Sequence, residues 1–214
     1  MKISKRLLKI AQMIDRNKVV FDVGSDHALL PCFLVMNDIC DKVYAGEISE
    51  GPYQKSINNI EKYNLNGKVI PVLSDGLKEA NDDVQVVVIA GMGYHTIKHI
   101  LDCCDVNKYE YFIVQSNNDV DKLRKYLSNN NYTIEDEAVV YDDFYYQIIK
   151  FSSKYHDEYD YLQIKYGPVL LKNKDEEFIA YLKYYSEHLK QINLKANKDE
   201  YAKTFKEIQE ILYN

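Results

Sequence analysis

Residues 19–31 read Val19-Val20-Phe21-Asp22-Val23-Gly24-Ser25-Asp26-His27-Ala28-Leu29-Leu30-Pro31. A short apolar strand ends in an acid and a glycine and then opens into a helix, which is where a doubly wound α/β fold presents a crevice for a nucleotide-like ligand. The stretch departs from the dinucleotide fingerprint G-x-G-x-x-G, because Asp26 stands where a second glycine would let a pyrophosphate approach the backbone. A carboxylate repels a diphosphate, but it attracts a cation and accepts hydrogen bonds from sugar hydroxyls.

Outward from this stretch, apolar runs alternate with helical periods. Strands are expected at about 18–23, 42–47, 68–73, 84–90 and 109–115, and helices at 51–64, 94–103 and 119–130. Such alternation predicts a parallel sheet covered on both faces. Two further strands, 132–140 and 144–151, are separated by the short acidic turn Tyr141-Asp142-Asp143, which suits a hairpin and not a crossover. The expected fold is α/β and Rossmann-like, mostly parallel with one antiparallel strand.

Around Ser152 to Tyr161 the composition turns polar and loses its period, which places a boundary between residues 1–160 and 161–214. Beyond it Phe178, Leu182, Tyr185, Leu189 and Ile192 recur at four and three, and after Ala196-Asn197-Lys198-Asp199 the rhythm returns with Tyr201, Phe205, Ile208 and Leu212. This is a narrow coiled-coil seam on each of two helices, expected to form an antiparallel hairpin. The hairpin reads equally as a structural brace and as a lever against a large substrate. Its short connection favours pairing within the chain, so a monomer is expected.

An apolar fraction of 46% in 214 residues supports one full α/β domain with a small appendage. Cys32, Cys40, Cys103 and Cys104 show neither a C-x-x-C pair nor a zinc-like series with histidines, so neither a disulfide framework nor a metal site is expected. His95 and His99 lie one helical turn apart without further ligand-type residues and read as helix-surface side chains. The amphipathic N-terminus is too polar for a signal segment, and no apolar run reaches the roughly 18 residues of a membrane span. A cytoplasmic protein is expected. Net charge is −6, yet residues 1–18 carry six cations against Asp15 alone, and residues 165–214 hold nine lysines against eight acids. Such local basic segments, on an otherwise acidic chain, are candidate phosphate contacts.

Four elements fall after successive strands, where open α/β sheets bind ligands. They are Asp22 to His27; Glu47 with Ile48, near the spacing of the acid that holds a ribose diol; Ser74-Asp75-Gly76, placed for an adenine edge; and Ala90-Gly91-Met92-Gly93, whose glycines permit close backbone approach. Singly, Asp26 reads as well as a helix cap, Asp75 as a turn residue and Glu47 as a loop acid. Their ordered occurrence is what points to one ligand. S-adenosylmethionine matches it, with a sulfonium, an amino group and a ribose but no phosphate. The missing glycine spacing disfavours a nicotinamide cofactor.

The runs Ile3-Ser4-Lys5-Arg6-Leu7, DVGSDHALLP (22–31), AGEISEGP (45–52), Ser74-Asp75-Gly76, IAGMG (89–93) and Tyr166-Gly167-Pro168-Val169-Leu170-Leu171 closely resemble the bacterial tRNA (adenine(22)-N(1))-methyltransferases. The resemblance covers essentially the whole chain. Tyr94 stands where the family usually has glycine, and Ser116 where it has proline. The resemblance implies a class I methyltransferase sheet. It implies S-adenosylmethionine bound by Asp22, Gly24, Ser25, Asp26, Glu47, Ile48, Ser74, Asp75, Gly76, Ala90 and Gly91, and methyl transfer to adenine N1 in tRNA. Asp26, with His27 and the Gly91-Met92-Gly93 backbone, is the candidate for shaping the base pocket and stabilising the developing charge; His27 reads alternatively as a plain helix-start residue. Lys5, Arg6 and Lys9 are the first candidates for gripping the RNA backbone, and a solvated amphipathic face is the alternative. Two rival readings share part of this pattern: a methyltransferase of another RNA or a small molecule, and a non-catalytic α/β RNA-binding module.

Overall fold

A computed structural model describes residues 1–155, 158–196 and 199–213. His156-Asp157 of the expected boundary, Asn197-Lys198 of the expected break and the side chain of Ile192 lie outside the described residues.

Seven strands, β1 (Val20–Val23), β2 (Val43–Glu47), β3 (Val69–Leu73), β4 (Val86–Met92), β5 (Tyr111–Ser116), β6 (Tyr132–Asp142) and β7 (Phe144–Tyr155), form one sheet in the order β3-β2-β1-β4-β5-β7-β6. β1 to β5 are parallel, and β7 runs antiparallel to both of its neighbours. Strand order reverses at β1, which lies between β2 and β4 and so opens a crevice at its carboxyl end. The Val/Ile-rich runs of β1, β4 and β5 follow from burial on both faces. Val20, Val86, Val88 and Ile113 pack under α1 (Lys5–Gln12), α2 (Leu29–Met36) and α3 (Glu50–Lys62), while Phe21, Val87, Ile89 and Val114 pack under α4 (Tyr94–Asp102) and α5 (Val120–Asn129).

β4 runs two residues further than expected, through Met92. Ala90 pairs with Gln115 and Met92 with Ser116, so Gly91 is an inserted bulge residue, at φ +77°. Glycine accepts that backbone without penalty, and the bulge re-aims the strand end toward the crevice.

The C-terminal segment begins with α6 (Tyr161–Tyr166) and α7 (Pro168–Asn173), two short helices that the sequence pattern did not suggest, followed by α8 (Glu176–Ala196) and α9 (Asp199–Tyr213). Asp160 and Gln163 form a capping box that starts α6. The Lys190 ammonium stands over the Phe205 ring and the Gln209 amide donates to Ser186, so α8 and α9 run antiparallel. On α8 the expected seam is buried at Phe178, Leu182 and Leu189. On α9 the buried stripe is Thr204, Ile208 and Ile211, turned from the expected Tyr201, Phe205 and Leu212, which are half-buried. α9 answers to two partners at once: it packs on α8, and Thr204 and Glu207 receive hydrogen bonds from Lys165 of α6. Val139 of β6 completes this third apolar cluster and seats the hairpin on the sheet edge.

Candidate active site at the β1–β4 crevice

Asp22, the third residue of β1, is 5% exposed, and the Ser25 hydroxyl donates to its carboxylate at 2.6 Å. Burial pushes this carboxyl up to about 7; Glu47 adds to the rise, while the Ser25 hydrogen bond and the Arg6 guanidinium oppose it. Glu47, closing β2, is also buried and accepts from Ser56 at 3.0 Å and from the His27 backbone N–H. Burial raises its carboxyl above the usual range despite those donors. Two shielded acids thus face one crevice with Asp26 close enough to repel both.

The chain between them is folded tightly. The Gly24 and Ser25 N–H groups both donate to the Gly46 carbonyl, at 2.9 and 3.0 Å, with Gly24 at φ +65°. Asp26, His27 and Ala28 then follow at φ +44°, +69° and +55°, three consecutive left-handed residues that L-side chains disfavour by roughly 1–2 kcal/mol each. Asn59 of α3 braces the turn by donating to the His27 carbonyl at 2.8 Å. The Asp26 side chain projects into solvent, with its carboxylate 3.3 Å from His27 Nε2. The pair therefore rims the crevice and does not line its floor.

The third wall is the β4 bulge. The Gly91 N–H donates to Gln115 Oε1 at 3.1 Å, the Asn117 amide donates to the Gly91 carbonyl at 2.8 Å, and the Asn117 N–H donates to the Met92 carbonyl at 2.8 Å. Gly93 starts α4, and Asn118 Oδ1 accepts from the next N–H, that of Tyr94. The Met92 methyl lies where a side chain on Gly24 would be, 2.4 Å from a Cβ built there, so the two glycine turns meet across the crevice. Ser116, at the position of the family's proline, donates to the Asn118 carbonyl at 2.6 Å and holds that loop by a side-chain bond.

At β3 the structure separates the expected residues. The Ser74 N–H donates to the Glu47 carbonyl, and the Ser74 hydroxyl bonds to the backbone at Gly76 and Glu79, so the hydroxyl is committed to shaping the turn. Asp75 is exposed and paired with Lys78, whose hydrogen bond lowers its carboxyl below the usual range; Ile48 is exposed on the adjoining turn. Gly76, at φ +64°, and Ala90, inside β4, shape the backbone on either side.

Of the basic trio, Lys5 is exposed and Lys9 half-buried on α1, and Arg6 turns inward. Its guanidinium donates to Gln115 Oε1, occupies the space a side chain on Gly91 would need and stacks over the Tyr146 ring at 5.3 Å. The composition of residues 1–18 gave no sign of this, because the partners lie 85 or more residues further along the chain. Gln115, Asn117, Asn118 and Asn59 were likewise missed as site-builders. The polar run Gln115-Ser116-Asn117-Asn118 directly after an apolar strand was the available signal. Among the described residues no cluster of three or more His, Cys, Asp or Glu has metal-ligand geometry, and no helix is long and apolar enough to cross a membrane.

A sheet of this order, with acids at the ends of β1 and β2 and a glycine bulge at the end of β4, defines a Rossmann-like methyltransferase. Comparison with known proteins carries the assignment further. The model of the TrmK family, tRNA (adenine(22)-N(1))-methyltransferase, matches residues 20–214, and the chain belongs to that family. The tRNA (adenine(22)-N(1))-methyltransferase of Bacillus subtilis is 32% identical over 188 residues, covering 84% of this chain and 79% of its own. Streptococcus pneumoniae Sp1610, crystallised in complex with S-adenosyl-L-methionine, superposes with a TM-score of 0.89 at 30% identity, covering 99% of this chain and 100% of its own. M. capricolum TrmK, in complex with S-adenosyl-homocysteine, superposes with a TM-score of 0.81 at 32% identity, covering 99% and 96%.

Proposed function

We propose that the crevice at β1, β2 and β4 holds S-adenosylmethionine and that the chain methylates N1 of adenine 22 in tRNA, as a cytoplasmic monomer. When bound, the cofactor supplies an electrophilic methyl. The donor set fits it: two shielded carboxylates favour a ribose diol and a cationic amino acid group, and would repel a diphosphate. In this reading Glu47 accepts from the ribose, and Asp22 acts with Gly24, Ser25 and the Ala90-Gly91 backbone on the amino acid end. Ile48, Ser74, Asp75 and Gly76 border the adenine.

Adenine N1 has a free lone pair at neutral pH, so the protein needs to position the base more than to deprotonate it. Gly91-Met92-Gly93 offers a backbone edge at the crevice, held rigid by Gln115 and Asn117. The adenine turns cationic as it accepts the methyl, and in this reading Asp26, on the rim beside His27, stabilises that charge once the base closes over it. The target base must leave its stack to enter. Lys5 and Lys9, on the outer part of α1, together with the lysines of the 161–214 unit, supply backbone grip.

The single observation that carries this reading is the pair of buried acids, Asp22 and Glu47, facing the glycine bulge across the order-reversing strand. Its test is transfer of labelled methyl to tRNA bearing adenine 22 and to the same tRNA with guanine there. Label on the first alone is expected, and equal label on both would discard the position. Asp26→Asn is a clean variant, because asparagine also tolerates the left-handed backbone. It should lower turnover more than tRNA affinity, and unchanged turnover would remove Asp26 from the chemistry.

A further inference from the structure

Beside the crevice, between the end of β5, the β6–β7 turn and α8, lies a cleft of about 560 Å³. Its rim is aromatic and open to solvent: Tyr141 is 51%, Phe144 70% and Tyr184 57% exposed. Its floor is fixed. Tyr145 packs against Tyr141, Tyr181 and Tyr184 with ring centroids 5.0, 5.5 and 5.2 Å apart, and the Gln147 amide donates to the Tyr181 hydroxyl while its carbonyl accepts from the buried Arg124. Three large exposed rings in one place are unusual on a solvated surface, where apolar groups are normally scattered singly.

The cleft adjoins the site. Ser116 and Asn117, which brace the Gly91-Met92 edge, also form its wall, and Tyr146 separates it from Arg6. Across the sheet it sits about two strand spacings, roughly 10 Å, from the β1–β4 crevice. An RNA strand whose neighbouring bases are unstacked and turned apart can bridge that gap. The lining contains a carboxylate, Asp143, and no cation, so it suits a neutral ring and repels a phosphate. Flat faces, a few amide and hydroxyl groups and no positive charge are the features that stack an unpaired base.

We propose that this cleft takes an unstacked nucleobase flanking adenine 22, stacked against the Phe144 and Tyr184 rings. The proposal rests on tRNA being the substrate. It adds a second recognition point, so that the enzyme reads a pair of splayed-out nucleotides and not a lone flipped base.

The test uses tRNA carrying fluorescent 2-aminopurine on one side or the other of adenine 22, titrated with the full chain in the presence of S-adenosylhomocysteine. Binding should quench one of the two probes. The double variant Phe144→Leu/Tyr184→Leu should abolish that quenching and weaken tRNA binding roughly tenfold, with cofactor affinity by calorimetry unchanged. Tyr184→Phe, which keeps the ring, should retain both. No quenching at either position with the wild-type chain, or quenching that survives the double variant, would overturn the proposal. Methyl transfer to adenine 22 without quenching refutes the cleft alone. Quenching without methyl transfer supports the cleft and refutes the substrate assignment.

Discussion

Gly167 lies directly against the carboxylate of Glu137. A Cβ built on the glycine would stand 2.6 Å from Glu137 Oε2 and 2.9 Å from Arg124 Nη2, and its φ is +102°. Arg124 and Glu137 are both buried and joined at 2.7 Å, and Glu137 also accepts from the Val169 N–H at 2.9 Å. This pair fastens α5, β6 and the start of α7 to one another, which explains the glycine of the Tyr166-Gly167-Pro168 run. Gly167→Ala must both adopt a disfavoured backbone and displace a paired charge. A loss of about 2–4 kcal/mol is expected in urea unfolding. Glu137→Gln, which strands the Arg124 charge, should cost about 3–5 kcal/mol. A loss under 1 kcal/mol for both would show that the junction is not structural.

What the sequence disclosed follows a physical division. The strands were legible because Val86 to Ile89 or Tyr111 to Val114 must be apolar on both sides when buried between helix layers. Asp22 and Glu47 stood out as candidates because open α/β sheets bind ligands where such strands end. Arg6 was not: its placement depends on Gln115, Gly91 and Tyr146, and no local pattern encodes a contact 109 residues away. α6 and α7 were hidden for a different reason. They are helices of under two turns whose start signals, Asp160-x-x-Gln163 and Gly167-Pro168, lie in a stretch without a period. The left-handed turn at 26–28 was hidden because nothing in Ala28 itself announces it.

Asp22 sets a pH dependence whose sign is opposite to that of a salt-bridged acid. Its carboxyl is pushed up to about 7 by burial, so the folded chain binds a proton that the unfolded chain has released. Stability of the ligand-free protein should therefore fall as pH rises between about 4 and 7, and Glu47, raised for the same reason, acts in the same sense. A cationic ligand group needs the ionised form. S-adenosylmethionine affinity should fall about tenfold per pH unit below 7, as read by calorimetry from pH 5 to 8. Asp22→Asn should flatten that slope, weaken binding and raise stability at pH 8. A pH-independent affinity in the wild-type chain would remove Asp22 from the cofactor.

Arg6 and its neighbours on α1 should separate in kinetics. The Arg6 fork holds Gln115, which in turn holds the Gly91 N–H. Arg6→Lys keeps the charge and loses the planar fork. It should lower kcat at saturating tRNA by roughly tenfold, about 1.4 kcal/mol in the barrier, with little change in the salt dependence of tRNA binding. Lys5→Ala and Lys9→Ala should do the reverse, raising KM for tRNA and lowering the slope of log Kd against log salt by about one each. If Arg6→Lys changes that slope and leaves kcat alone, the guanidinium serves phosphate and not the bulge.

Ala28 tests whether the left-handed turn is stored strain or merely tolerated. It is fully buried, at φ +55°, and follows two residue types that accept this conformation better than alanine does. Ala28→Gly removes a buried methyl worth about 1 kcal/mol but relieves a backbone penalty of about 1–2 kcal/mol. Stability should therefore be unchanged or rise by up to about 1 kcal/mol, whereas Ala45→Gly, on β2 and equally buried, should lose at least about 1 kcal/mol. Ala28→Val, β-branched in the same backbone, should lose more than about 3 kcal/mol. Function should part from stability. The turn aims the His27 N–H at Glu47 and the His27 carbonyl at Asn59, so a glycine that lets it relax should weaken S-adenosylmethionine binding several-fold. Unchanged cofactor affinity in a fully folded Ala28→Gly protein would mean that Asn59 and Glu47 alone hold the turn in place.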